Sequence, residues 1–152
     1  MKVLVWLTEG TWEACVDAAG AWAEAADITL LHVVDDRFAA GWAAASGGLL
    51  GRAGPPVGAG PLLDAQRAFL DAAALRLGVP ARREARQGLV EREVVTAAAS
   101  ADLLVCARDG GRSVPGPHSL SHATRFVVDH AQCAVLLVWP GAATLGPPHP
   151  RA

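Results

Sequence analysis

Residues 108–120 carry the densest set of groups able to do chemistry in this 152-residue chain. Gly110-Gly111 lets backbone N–H groups come close to a ligand. Arg112 supplies charge, and Ser119 or Ser121 stands where a hydroxyl could cap a following helix or meet a phosphate. The plainer reading is a glycine turn followed by helix caps, and composition alone does not separate the two. His118 and His122 are four residues apart, the spacing of two metal ligands on one helical face. Pro117 sets His118 ahead of the helix, however, and no third ligand stands nearby, so no metal site is expected. Gly116-Pro-His-Ser-Leu120 is not a nucleophile elbow, because its serine is misplaced and its second glycine missing. Only Gly10 follows the first apolar run, without the other glycines of a dinucleotide fingerprint, and Lys2, the sole lysine, cannot complete a phosphate loop. No catalytic constellation emerges, and the expectation is a binding protein rather than an enzyme.

The elements that position this loop are legible from apolar patterning. Residues 101–107 form a short apolar block, residues 121–130 an amphipathic run, and residues 134–139 a second apolar block. Strand, helix and strand in that order make a βαβ unit with parallel strands and a right-handed crossover. The loop therefore falls beyond the carboxyl end of a strand and before a helix N-terminus, where orphan N–H groups and the helix dipole favour anions.

Earlier in the chain, residues 3–7 and 28–34 read as strands buried on both faces. His32, inside the second, is expected to be a packed residue rather than a ligand. Residues 12–25 read as an alanine-rich helix capped by Thr11, with Cys15, Ala18, Ala19 and Trp22 inward and Gly20 as a tolerable defect. Residues 35–61, rich in Gly, Ala and Pro, read as the least structured part, a long loop of the kind that is functional or disordered. Residues 62–77 read as a helix with Leu63, Phe69, Ala73, Leu75 and Leu77 available for its inner face. Residues 81–86 form a polar strand suited to a sheet edge, and 90–99 a helix with Val94 and Val95 inward. The fold class is α/β: a doubly wound, Rossmann-like parallel sheet of five strands with helices on both faces. One domain over residues 1–140 is expected, with a Pro/Gly-rich disordered tail over 141–152. The apolar run from Ala134 to Trp139, left at an uncovered edge, would invite a second copy, so a homodimer through that strand is expected.

Composition narrows the partners. Net charge is −2, with no basic surplus for nucleic acid, and no apolar run reaches membrane-spanning length. Cys15, Cys106 and Cys133 are odd in number and lack C-x-x-C spacing, which fits free thiols in a reducing, cytoplasmic setting. His130 continues the face of Phe126 and Val127 and reads as a capped or packed helix-end residue rather than a catalyst.

Over residues 2–139 the chain resembles the universal stress proteins. The resemblance is carried by Val3-Leu-Val-Trp-Leu-Thr8, by Leu30-Leu-His-Val-Val-Asp35, by Ala101-Asp-Leu-Leu-Val-Cys-Ala107, and by the stretch from Thr124 to Val138. It implies the element order just derived, dimerisation through the last strand, and a stress-response role. Nucleotide-binding members of that family carry an aspartate after the first strand and the pattern Gly-x2-Gly-x9-Gly-Ser/Thr after the fourth. Here Thr8 stands at the aspartate, and Ala107 or Arg108 at the first glycine, depending on whether Gly110 or Gly111 is the second. Counted from Gly111, Ser121 replaces the third glycine and His122 the hydroxyl. The candidate contact positions are thus Thr8, Val33, Ala107, Arg108, Gly110, Gly111, Arg112, Ser119, Ser121 and His122. A Cβ at the helix start and the lost carboxylate imply a member in which ATP binding is weak or absent and no cofactor is resident. The alternative is an adenine-nucleotide sensor whose loop closes on phosphates, or another anion, through Arg112 and Ser119.

Overall fold

The structure is a computed structural model that describes residues 1–38, 40–41, 60–109 and 120–140. Its strands are β1 (Lys2–Leu7), β2 (Asp27–Asp35), β3 (Arg82–Gly88), β4 (Leu103–Ala107) and β5 (Ala134–Val138). They form one parallel sheet of order β3-β2-β1-β4-β5. The helices described in full are α1 (Trp12–Gly20), α2 (Gly60–Leu77), α3 (Val90–Ala98) and α4 (His122–His130).

Strand parity divides the core between the two faces. Val3, Val5 and Leu7 of β1 pack with Ile28, Leu30 and Val105 under α1 and α2. Leu4 and Trp6 of the same strand pack with Leu31, Val33, Leu104 and Cys106 under α3 and α4. Both sides of β1 are apolar because both are covered, which is why its sequence is a continuous rather than an alternating apolar run.

The edge strands follow the same logic. β3 alternates exposed and half-buried positions with charged side chains along an edge, as expected for a strand with water on one side. β5 holds the opposite edge, with Ala134 exposed and the next four residues half-buried.

Three local expectations are corrected. The α-helix of α1 ends at Gly20 rather than running to residue 25. Beyond it, Ala21, Trp22, Ala23 and Ala25 donate to carbonyls three residues back, in tighter turns. Glycine there carries the entropic cost of a helical position with no side chain to pack. Thr11 does not cap α1 with its side chain; its hydroxyl lies 2.7 Å from the Thr8 hydroxyl instead. The inner face of α2 is corrected in part: Phe69, Ala73 and Leu77 pack on the core as expected, but Leu75 is 84% exposed and Leu63 is also exposed, and Gln66 and Leu70 are buried instead. The buried stripe obeys the i, i+4, i+7 rule from Gln66, a residue whose polarity hides it from an apolar count. The proposed tail, residues 141–152, lies outside the described residues, as does most of the segment 35–61.

Candidate functional site

From β1 the sheet grows towards β2 on one side and β4 on the other, so the topological switch point lies between β1 and β4. Ligands in open α/β sheets sit beyond the carboxyl ends of the strands at that point. Here those ends are Leu7-Thr8 and Ala107-Arg108, with the N-terminus of α4 beside the second.

Thr8 is half-buried and engaged locally. Its carbonyl accepts from the Thr11 N–H at 3.2 Å, and its hydroxyl shares a 2.7 Å hydrogen bond with that of Thr11. Gly10 permits the turn at φ +83°, a left-handed conformation that side chains resist. The first crevice wall thus closes on itself.

The second wall is closed by a residue that the sequence did not single out. Asp109 Oδ1 accepts from the Ser121 backbone N–H at 2.7 Å, and Oδ2 accepts from the Thr124 hydroxyl at 3.0 Å. The Ser121 hydroxyl in turn accepts from the Thr124 N–H at 3.1 Å, the N-cap bond expected of it. In a capping box the reciprocal carboxylate comes from the third helical residue. Thr124 occupies that position here, and the carboxylate arrives from the end of β4. A negative charge therefore already sits at the positive end of the α4 dipole. Counted from Gly110, the family pattern puts Leu120 at its last glycine and Ser121 at its hydroxyl, which matches the observed cap better than the count from Gly111.

The other candidate positions separate. Ala107 is buried against the α1–α2 face. Arg108 donates its backbone N–H to Val138 O at 2.7 Å, and its guanidinium lies 3.7 Å from the centroid of the Trp139 ring. That cation–π contact pins the arginine towards β5. Val33 is buried among α3 side chains, but its backbone is notable: the β1–β2 ladder stops at Leu7↔His32, while β2 continues beside β3 to Asp35↔Gly88. Residues 33–35 therefore overhang β1 with an edge that β1 does not pair, and they line a cleft against α2. His122 opens α4 and is exposed. Gly110, Gly111, Arg112 and Ser119, with His118, lie outside the described residues. The structure thus brings Ala107, Arg108 and Ser121 to one end of β4, and Thr8 and Val33 to the neighbouring ends of β1 and β2.

His32 is packed, as its position in a buried strand implied, at 6% exposure and 4.7 Å between its ring and that of Phe69. Burial pushes its pKa below the ordinary histidine value, outweighing the opposite pull of Glu9. His130 stacks on Phe126 at 4.0 Å, and its Nδ1 donates to the Phe126 carbonyl. Cys15 and Cys106 are buried free thiols pushed up to about 12, chiefly by burial, while free Cys133 is half-buried. No group of three or more metal-ligating side chains occurs among the described residues. A second cavity of about 440 Å³ opens at the amino ends of the strands, beside Lys2, Asp27 and Arg82. In this winding helices finish rather than begin at that end, so it gains no helix N–H groups.

Asp109 left no signal in the sequence beyond its position after a strand, because its partners lie 12 and 15 residues further on. No protein-family model and no curated protein sequence matches the chain. Solved structures do match. The hypothetical protein MJ0577, the subject of a structure-based assignment of biochemical function, superposes with a TM-score of 0.66 at 18% identity, covering 93% of this chain and 97% of its own. A universal stress protein in complex with cAMP matches with a TM-score of 0.60 at 20% identity, covering 92% and 97%. The universal stress protein from Archaeoglobus fulgidus in complex with dAMP matches with a TM-score of 0.57 at 15% identity, covering 91% and 97%. The fold of this chain is that of the universal stress proteins.

Proposed function

We propose that this chain is a cytoplasmic, non-catalytic member of the universal stress protein group that works by dimerisation and protein contact and holds ATP weakly or not at all. The observation that carries the reading is the Asp109 carboxylate, bonded to the Ser121 N–H and the Thr124 hydroxyl. A phosphate bound at a helix N-terminus needs those donors free and a positive potential in front of them. Here the Ser121 and Thr124 N–H groups, two of the four at the start of the helix, are engaged, and the positive potential is met by the chain's own anion. Thr8, satisfied by Thr11, offers a nucleoside no carboxylate. Dimerisation is supported by the apolar edge strand β5 and by Trp139, still 38% exposed beside it. No described helix is long and apolar enough to cross a membrane.

The test is nucleotide content and thermal shift. Purified protein is expected to carry no nucleotide, and millimolar ATP to leave its melting temperature almost unchanged; a rise of several degrees overturns the reading. Sedimentation at about 100 μM, well above the Kd of a stable dimer, is expected to give twice the chain mass, and a monomer removes the β5 pairing. A second reading, an adenine-nucleotide sensor using Arg112 and Ser119, draws support from similar structures in complex with cAMP and dAMP. It requires Arg112→Ala to abolish a measurable affinity.

A further inference from the structure

His32 joins three parts of the fold near the carboxyl end of β2. Its Nε2 lies 3.2 Å from Glu9 Oε1 in the turn after β1, and its ring lies 4.7 Å from that of Phe69 on α2. Its carbonyl accepts from Gln66 Nε2, also on α2, at 3.0 Å. Phe69 in turn meets Trp12, the first residue of α1, at 5.8 Å. The ring is therefore a contact that the turn after β1 and the first half of α2 share.

Its two nitrogens face different surroundings. An ionised carboxylate only accepts, so Nε2 carries the ring hydrogen and bonds to Glu9, whose side chain is 79% exposed. Nδ1 is buried and has no hydrogen-bond partner among the described residues. In the neutral ring that is one unmade bond; in the protonated ring it is a charged N–H with nothing to accept it, which costs far more. Among the described residues, Glu9 is the one charge that acts on the ring. From α2 come Gln66 and Phe69, from α1 Trp12 behind Phe69, and from the flanking strands Leu7 and Ala85. Asp35, further along β2, pairs with Arg37, and Asp17 of α1 with Arg76. Water screens the exposed Glu9, so its attraction does not offset the burial of the charged ring.

We infer that His32 is an acid-sensitive latch: a proton gained at Nδ1 moves the ring from beside Phe69 outwards to Glu9 and loosens the first half of α2 on the sheet. The turn that carries Glu9 stays in place, because the Thr8–Thr11 hydroxyl pair at 2.7 Å and the Thr11 N–H bond to Thr8 O close it. Gln66 still holds the carbonyls of His32 and Arg86, so α2 loosens about that tie rather than leaving. The open form offers Nδ1 to water and protonates near the ordinary value of 6.5, whereas burial holds the closed form below it. The open population should thus rise by up to about tenfold per pH unit below that value, until the closed form also takes up the proton. The latch works without any ligand, so it goes beyond the reading of the α4 N-terminus, and its failure leaves that reading untouched.

Nuclear magnetic resonance of the ligand-free chain from neutral pH down to about pH 5 tests it. Protonation of His32 Nδ1 and loss of the cross-peaks between the His32 and Phe69 rings are expected to share one midpoint. Below that midpoint, amides over residues 63–70 should exchange faster than the intrinsic pH dependence allows, at rates insensitive to low urea, the mark of local opening. His32→Phe keeps a flat ring with no proton to gain and should abolish this response. Glu9→Gln keeps an acceptor without its charge and should move the midpoint to lower pH. Ring cross-peaks that persist after Nδ1 is protonated or throughout the titration, α2 exchange that ignores pH, or the same response in His32→Phe overturns the inference. The first two are read on the unaltered chain and stand even if the variant does not fold.

Discussion

Replacing Asp109 by Asn tests the logic of the α4 N-terminus most directly. The amide oxygen can still accept from the Ser121 N–H, and the amide nitrogen can donate to the Thr124 hydroxyl, so the geometry at 2.7 and 3.0 Å survives while the charge does not. The stability lost has two sources. An anion in the first turn contributes about 0.3–1 kcal/mol through the helix dipole. Exchanging charge-assisted hydrogen bonds for neutral ones costs about 1 kcal/mol more, discounted because Asp109 is exposed. The sum, roughly 1–2 kcal/mol, should lower the melting temperature by about 3–6 °C for a chain of this length.

Ligand affinity should move the other way. A carboxylate and a phosphate oxygen about 4 Å apart repel by up to ~4 kcal/mol at an effective dielectric of 20. At an exposed site about 1–2 kcal/mol of that survives screening, or roughly 5- to 30-fold in affinity for ATP. At ATP concentrations about ten times the variant's Kd, the melting temperature should recover by about 3–5 °C, through a linkage of ~1.4 kcal/mol. Differential scanning fluorimetry with and without ATP, on both proteins, reads the two effects together. A variant that loses stability but gains no affinity would refute the claim that Asp109 keeps phosphate from this helix, and micromolar ATP binding by the unaltered chain would do the same.

Three further outcomes follow from the buried groups. The His32 pKa is depressed by burial, so the unfolded chain takes up its proton first as pH falls below the ordinary value of 6.5. Stability should therefore decline from neutral pH downwards until the folded pKa is passed, and His32→Phe should flatten that part of a urea-midpoint profile; an unchanged slope counts against it. Gln66→Leu strips a donor from two strand carbonyls and should cost about 1–3 kcal/mol in chemical denaturation, against less than ~0.5 kcal/mol if the amide is idle. Ellman's reagent near pH 8 should modify Cys133 first, and Cys15 and Cys106 only on unfolding, because burial holds the latter two near 12; three equal rates would contradict their placement.

The sheet was legible because its physics is local. A strand covered on both faces must be apolar at every position, and Val3–Leu7 and Ala134–Val138 announce that without knowledge of their neighbours. Charged Arg82, Arg83, Glu84 and Arg86 mark β3 as an edge on equally local grounds. What failed depends on partners distant in sequence. Gln66 sets the inner face of α2 by reaching carbonyls 34 and 20 residues away, and no apolar periodicity registers it. In α1, alanine gives so little contrast between faces that the end at Gly20 could not be told from a continuing helix. Asp109 closes a helix across a loop that the sequence presented as the ligand site itself.

These pairings redistribute the unsatisfied valence of the fold. At the switch point, where an α/β sheet of this order ordinarily offers free donors, the Thr8–Thr11 hydroxyl pair and the Asp109–Ser121–Thr124 triad satisfy one another. Neighbouring β2 shows the reverse: it runs past the end of β1, and on the α2 side of that overhang His32 Nδ1 is buried with no hydrogen-bond partner among the described residues. A helix terminus partly completed from within is more stable without ligand and has less to gain from one. The same scaffold thus keeps its parallel sheet and both helical layers while the chain's own carboxylate occupies the start of α4. That occupation requires nothing of the core, because Asp109 is exposed beyond the end of β4 and belongs to neither core cluster.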